Sequence, residues 1–124
     1  FVSQYLILRR LKTRYYGREK NMARSITINN KKHIYIKATW YDIAGCSTLE
    51  NDFDFEKMKC ARIVSWCFLY DIFEDDGIEY VRTFASYQND GEIGYGDRNV
   101  YPLSVFTKSS QKRIRTAWKD MARG

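Results

Sequence analysis

Apolar and polar positions alternate with a period of two over several stretches of this chain, a pattern that predicts strands more than long helices. Ser25–Ile28 reads as a short strand. His33–Trp40 reads as a longer one, in which Ile34, Ile36, Ala38 and Trp40 alternate with His33, Tyr35, Lys37 and Thr39. Asn29-Asn30-Lys31-Lys32 between them is turn-like, so a hairpin is expected. Arg62–Phe73 is the strongest strand. Val64, Trp66, Phe68, Tyr70 and Ile72 face one way, and Ile63, Cys67, Leu69 and Phe73 the other. Apolar character on both faces predicts a strand covered on both sides, with Trp66 in the core. Asp76-Gly77 tolerates the positive φ angles of a tight hairpin, and Ile78–Tyr87 is the expected return strand.

The other segments carry weaker periodicity. Gly45–Asp54 is polar and irregular, and Phe53, Phe55 and Met58 fit one short helical turn capped by Asp52 or Asp54. Asn89–Asn99 holds Gly91, Gly94 and Gly96 among acidic residues, which predicts a loop able to act as a flap over a pocket. Val100–Phe106 is a short last strand that Pro102 assigns to an edge or a bulge. Ser109 or Ser110 is expected to cap a helix over residues 109–122, with Ile114, Ala117, Trp118 and Met121 as its apolar stripe. The fold class expected is mainly β (α+β): a small antiparallel curled sheet or SH3-like barrel of four to five strands with a C-terminal helix.

Residues 1–24 form a basic N-terminal segment with two open readings. Phe1, Tyr5, Leu8, Leu11 and Tyr15 recur at helical spacing, which fits an amphipathic helix. Alternatively, Met22-Ala23-Arg24-Ser25 reads like an initiation sequence, and the residues before it are then not native. Residues 25–124 make the single β-rich domain.

Composition narrows the class. A chain of 124 residues, 44% apolar and with ten tyrosines, can bury one core and is not disordered. No apolar run is long enough to span a bilayer, and Arg9, Arg10 and Lys12 follow the first apolar stretch instead of preceding it, unlike a secretory signal. A cytoplasmic protein with no membrane partner is therefore expected. Cys46, Cys60 and Cys67 lack disulfide or zinc spacing and read as buried free thiols. With His33 as the one histidine, no metal and no cofactor are expected.

Charge changes the picture further. Residues 1–32 carry nine Lys or Arg against one acid, a balance of +8. Residues 33–107 stand at −7 and residues 108–124 at +5. An acidic body between basic ends suggests either that the ends reach a polyanion or that they fold back.

Three strings then carry a resemblance: Ile34-Tyr-Ile-Lys-Ala-Thr-Trp-Tyr-Asp-Ile43, Cys60-Ala-Arg-Ile-Val-Ser-Trp-Cys-Phe-Leu-Tyr70, and Gly96-Asp-Arg-Asn-Val-Tyr-Pro-Leu-Ser-Val-Phe106. Over residues 32–112 the chain resembles a loose group of short accessory proteins of bacteriophages and mobile elements. That group shows a Trp-x-Asp strand end, a Gly-Trp central strand and an Ile-Pro last strand. Ser65 and Tyr101 depart from the pattern. The resemblance implies a small phage-type barrel and no catalytic residue.

Candidate chemistry is sparse. Trp40 and Asp42 close the first long strand, as a stacking ring beside an acceptor at a pocket mouth or as a core tryptophan before a turn; Tyr95 in the glycine-rich segment is the third ligand-binding candidate. Asp71, Glu74, Asp75, Asp76 and Glu79 crowd the hairpin tip and read as a solvated acidic patch, without EF-hand spacing. The glycine-rich segment lacks a phosphate-loop ending. Lys112, Arg113, Arg115 and Lys119 on the terminal helix are the nucleic-acid-binding candidates. No nucleophile motif occurs, so catalytic residues are not expected. The function expected is a non-catalytic accessory protein that binds a host macromolecule or sequesters a small ligand, with a host protein or a nucleotide-like ligand as the partners considered. The alternative is a nucleic-acid-binding module using the basic termini and exposed aromatics. A two-sided apolar strand also predicts a homo-oligomer, with a dimer the simplest closed form.

Overall fold

The structure is a computed structural model that describes residues 24–123. The expected N-terminal helical stripe lies outside the described residues.

Strand β1 (Ser25–Ile28) and strand β2 (Lys31–Asp42) pair antiparallel through the two-residue turn Asn29-Asn30. Both asparagines hold positive φ, 52° and 63°. This is the backbone of the tight hairpin turn that suits the right-handed strand twist, and asparagine is one of the few side chains that tolerates it. After β2 comes a helical turn, α1 (Asp52–Glu56). Its cap is Asn51, not Asp52 or Asp54. Asn51 keeps an extended backbone just before the first helical residue, and its side chain accepts from the Asp54 amide at 2.8 Å.

Strand β3 (Ala61–Asp75) turns at Asp76-Gly77, φ 54° and 77°, into strand β4 (Ile78–Phe84). The hairpin is antiparallel as the alternation requires, with one irregularity. Leu69 pairs with Thr83 but Asp71 pairs with Arg82, which leaves Tyr70 as an extra residue. A bulge of this kind reverses the facing of every residue beyond it. Ile72 therefore joins Cys67 and Leu69 on one face, while Tyr70 stays with Phe68 on the other. Ile72 and Phe73 are thus exchanged relative to simple alternation. Trp66, expected in the core, is half-buried and stacks on Tyr35 at 5.9 Å.

The return strand ends at Phe84 and not at Tyr87. The chain leaves the sheet at Ala85 and makes a separate hairpin of β5 (Ser86–Asp90) and β6 (Glu92–Gly96), where a loop was expected. Gly91 turns it at φ 106°. A Cβ at Gly96 would run into Ser86 Oγ and displace that hydroxyl from Asp97, to which it donates at 2.9 Å. Strand β7 (Asn99–Pro102) then pairs with β4, giving an antiparallel sheet of order β1-β2-β3-β4-β7. Pro102 sits at the end of this edge strand, as its missing N–H demands. A 3-10 turn follows at Leu103–Val105, and among the described residues only Phe106 bridges back to Trp40. A single bridge is no ladder. The sheet is curled but open, and the SH3-like barrel is not formed.

Helix α2 (Lys108–Arg123) lies on one face of the sheet. Its cap is Thr107, whose Oγ1 accepts from the Ser110 amide at 3.3 Å, and not Ser109 or Ser110. Ser110 lies one turn in, where its buried hydroxyl accepts from the Thr39 amide at 2.9 Å and so fastens the helix to β2. Ile114, Ala117 and Met121 are buried against Ile34, Ile36, Leu69 and Val81, with Trp118 packed at their margin. Cys67 belongs to this core, where burial pushes its thiol up to about 11. Cys46 and Cys60, expected to be buried, are exposed in the segment between β2 and β3. Ile43 and Leu49 of that segment are also exposed, at 90% and 98%. No described helix is long and apolar enough to cross a membrane.

Candidate functional site

The face of the sheet opposite α2 is built from rings. Ile28, Phe68 and Phe84 form a second core, and Ile26, Tyr35, Tyr70, Ile93 and Tyr95 pack against it. The β5–β6 hairpin supplies Ile93 and Tyr95, and the Ala85 amide, donating to the Gly96 carbonyl at 3.2 Å, ties its base to the end of β4. Two layers thus cover β3, one helical and one a hairpin. That is the cover its two-sided apolar pattern demands.

His33 lies at the centre of this second core with none of its surface exposed. The β2–β3 ladder ends at the Tyr35–Phe68 pair, and beyond it His33 Nδ1 reaches the Leu69 carbonyl at 3.0 Å. A carbonyl can only accept, so Nδ1 carries the proton and Nε2 is the acceptor nitrogen. Nε2 has no hydrogen-bond partner among the described residues. The ring stacks on Tyr70 at 5.6 Å and meets Phe84 edge-on at 5.2 Å. Burial, with Lys31 adding to it against the Leu69 bond, lowers its pKa from the ordinary 6.5.

A stability effect follows from that shift. The unfolded imidazole takes a proton below about pH 6.5, while the native one resists it until lower pH. Stability is therefore complete above that value and falls as pH drops through it, by up to about 1.4 kcal/mol per pH unit. Urea melts between neutral and mildly acidic pH will record the fall, and His33→Phe will flatten it. An unchanged slope in that variant would assign the effect elsewhere.

Beside the His33 cluster lies an open cleft of about 450 Å³, with Tyr70, Arg82, Phe84, Tyr95, Arg98 and Asn99 in its walls. Arg82 from β4 makes a two-pronged ion pair with Asp71, Nε to Oδ1 at 2.7 Å and Nη2 to Oδ2 at 2.6 Å. Its guanidinium lies 4.2 Å from the centre of the Phe73 ring and 5.8 Å from that of Tyr70. The Asp71 hydrogen bonds raise the Arg82 pKa further, so this group is a fixed cation. The Lys31 ammonium lies 4.6 Å over the Tyr70 ring. Burial and the neighbouring Tyr70 raise the Tyr95 phenol, which therefore stays a hydrogen-bonding neutral group at physiological pH. Arg98 is exposed and makes no ion pair among the described residues.

The three ligand-binding candidates do not meet. Trp40 is half-buried on the helix side of the sheet, its Nε1 donating to Ser65 Oγ at 3.0 Å and its ring edge-on to Tyr101 at 5.1 Å. That is a core tryptophan with its polar atom satisfied. Asp42 is exposed at the end of β2. Tyr95 alone stands in the cleft. The basic candidates of α2 divide as well. Arg113 donates to the Lys37 carbonyl at 2.7 Å, and Arg115 makes a two-pronged pair with Glu79 at 2.6 and 3.2 Å. Both hold the helix to the sheet, while Lys112 and Lys119 are exposed. Tyr70, Arg82 and Arg98 were not singled out in the sequence. The signal for the first two was Arg82 and Phe84 on one side of a strand whose partner carries Phe68 and Tyr70.

Among the described residues no three His, Cys, Asp or Glu side chains stand close enough to share a metal ion. Comparison of the chain with protein-family models, with curated proteins and with solved structures found no match.

Proposed function

We propose that the protein is a non-catalytic binding module whose cleft takes an anionic, aromatic ligand of the nucleotide class. The observation that carries this reading is the meeting of the Arg98 guanidinium, which makes no ion pair among the described residues, with two phenol rings, Tyr70 and Tyr95, on one cleft of about 450 Å³, whose other guanidinium, Arg82, is held by Asp71. A volume in that range suits a small ligand. Rings stack on a base, and a guanidinium matches a phosphate in shape and charge. The cleft walls named above offer aromatic, guanidinium and amide groups, which bind and orient a ligand. The phage or mobile-element setting of such a module rests on the resemblance alone. The rival reading through α2 has less support, because Arg113 and Arg115 are spent on the protein's own sheet.

Calorimetric titration of the whole chain with a nucleoside monophosphate, the matching nucleoside and inorganic phosphate tests the proposal. The monophosphate is expected to bind at least about tenfold tighter than either fragment, since each fragment forfeits one charged or stacked contact. Binding of phosphate equal to that of the monophosphate, or no binding of the monophosphate at millimolar concentration, contradicts it.

A further inference from the structure

We infer that residues 1–23 of this same chain fold back over a patch of exposed apolar side chains at the far end of β2 and β3. Seven of the ten large apolar side chains exposed among the described residues fall between Tyr41 and Val64. Tyr41 and Val64 are diagonal neighbours on the β2–β3 ladder, on the face opposite α2. The others stand on the segment that joins these strands, where Phe53 and Phe55 of α1 are 68% and 67% exposed. Helix α1 buries none of its residues, so its rings contribute nothing to the core. Exposed apolar side chains gathered in one stretch mark a docking surface.

Charge and reach select the occupant. Residues 42–60 carry five acids against Lys57 and Lys59, a balance of −3. A fitting partner is therefore apolar and basic. Residues 1–23 carry six Lys or Arg against one acid, beside the apolar series Phe1, Tyr5, Leu8, Leu11 and Tyr15. The other basic end of the chain is excluded, because Ile114, Ala117 and Met121 of α2 are already buried in the core. Lys37 and Arg62 border the sheet part of the patch. The apolar series therefore belongs over Tyr41 and Val64, and the cations beside Glu50, Asp52, Asp54 and Glu56. The Arg24 carbonyl accepts from the Tyr35 amide at 2.7 Å, which fixes the segment's point of departure beside β2. Tyr41 lies about 20 Å from there at the strand rise, and the stretch from Phe1 to Tyr15 spans about 22 Å as a helix. A tethered segment also meets its site at a high effective concentration, so a modest match closes it.

The test uses the whole chain, with trypsin cutting and amide spectra as separate readouts. Val64→Asp puts a charge into the sheet part of the patch without altering any trypsin site. It should make cutting within residues 1–23 at least about tenfold faster, because the protease takes the undocked population. Unchanged amide signals from α2 check that the variant folds. Leu8→Asn combined with Leu11→Asn, read without protease, should move the amide signals of Val64 and Phe53 and leave those of Lys112 and Arg98 in place. Light scattering should find the native chain monomeric. Equal cutting rates in the native chain and in folded Val64→Asp overturn the inference, as do Val64 and Phe53 signals that the leucine pair leaves unmoved. A native dimer that the leucine pair splits gives the patch to a second copy and overturns it too. Nucleotide enters neither readout, so this inference and the cleft reading stand or fall separately.

Discussion

Phe84→Ala should cost about 3–5 kcal/mol of folding stability, the range for truncating a fully buried aromatic ring. Phe84 is 1% exposed. Its ring is held between Phe68 at 5.5 Å and Tyr95 at 5.0 Å, with His33 edge-on. The surrounding rings belong to β2, β3 and β6, so no single element can move in to fill the space. Part of the loss comes from apolar area returned to water and part from the cavity that stays open. The β5–β6 hairpin rests on this ring through Tyr95, so the same substitution should loosen the cleft and weaken the ligand. Urea melts measure the first effect. A loss below about 1 kcal/mol would mean that the hairpin does not seal this core.

Arg98→Glu should abolish most ligand affinity, by about a hundredfold, while changing stability by less than about 0.5 kcal/mol. The two effects separate because Arg98 is exposed and makes no ion pair among the described residues. A charge-assisted contact to a phosphate contributes about 1.5–3 kcal/mol, and reversing the charge adds repulsion. Lys112→Glu combined with Lys119→Glu is the matched comparison, with twice the charge change on the helix side of the sheet. It should leave nucleotide binding within about twofold. If the helix variant loses the ligand and Arg98→Glu keeps it, binding belongs to α2 and the cleft reading fails.

The hairpins were legible in the sequence where local chemistry and pattern agree. Asn29-Asn30 and Asp76-Gly77 tolerate left-handed backbone, and the alternating residues on either side of each leave one register. The terminal helix was legible because Ile114, Ala117 and Met121 recur at its period. Three features were not legible, each for a physical reason. The bulge at Tyr70 requires no special residue type, so nothing in the string marks it, yet it decides which way Ile72 and Phe73 point. The β5–β6 hairpin is hidden because Gly91, Gly94 and Gly96 among acids read as a loop, whereas Gly91 is the hairpin's turn residue at positive φ. The cleft could not be assembled at all. Tyr70, Arg82, Tyr95 and Arg98 come from three strands and the loop before β7, and only the curl of the sheet brings them together. The two-sided apolar pattern of β3 is matched by α2 on one side and by the β5–β6 hairpin on the other, while Val64, Ile78 and Val100 stay exposed.

The most direct test of the central claim is an amide chemical-shift titration of the isotopically labelled chain with a nucleoside monophosphate. The saturating shifts should gather at Tyr70, Arg82, Phe84, Tyr95, Arg98 and Asn99, with Lys112 and Lys119 unmoved. Shifts confined to α2, or a spectrum unchanged at saturating nucleotide, would contradict it.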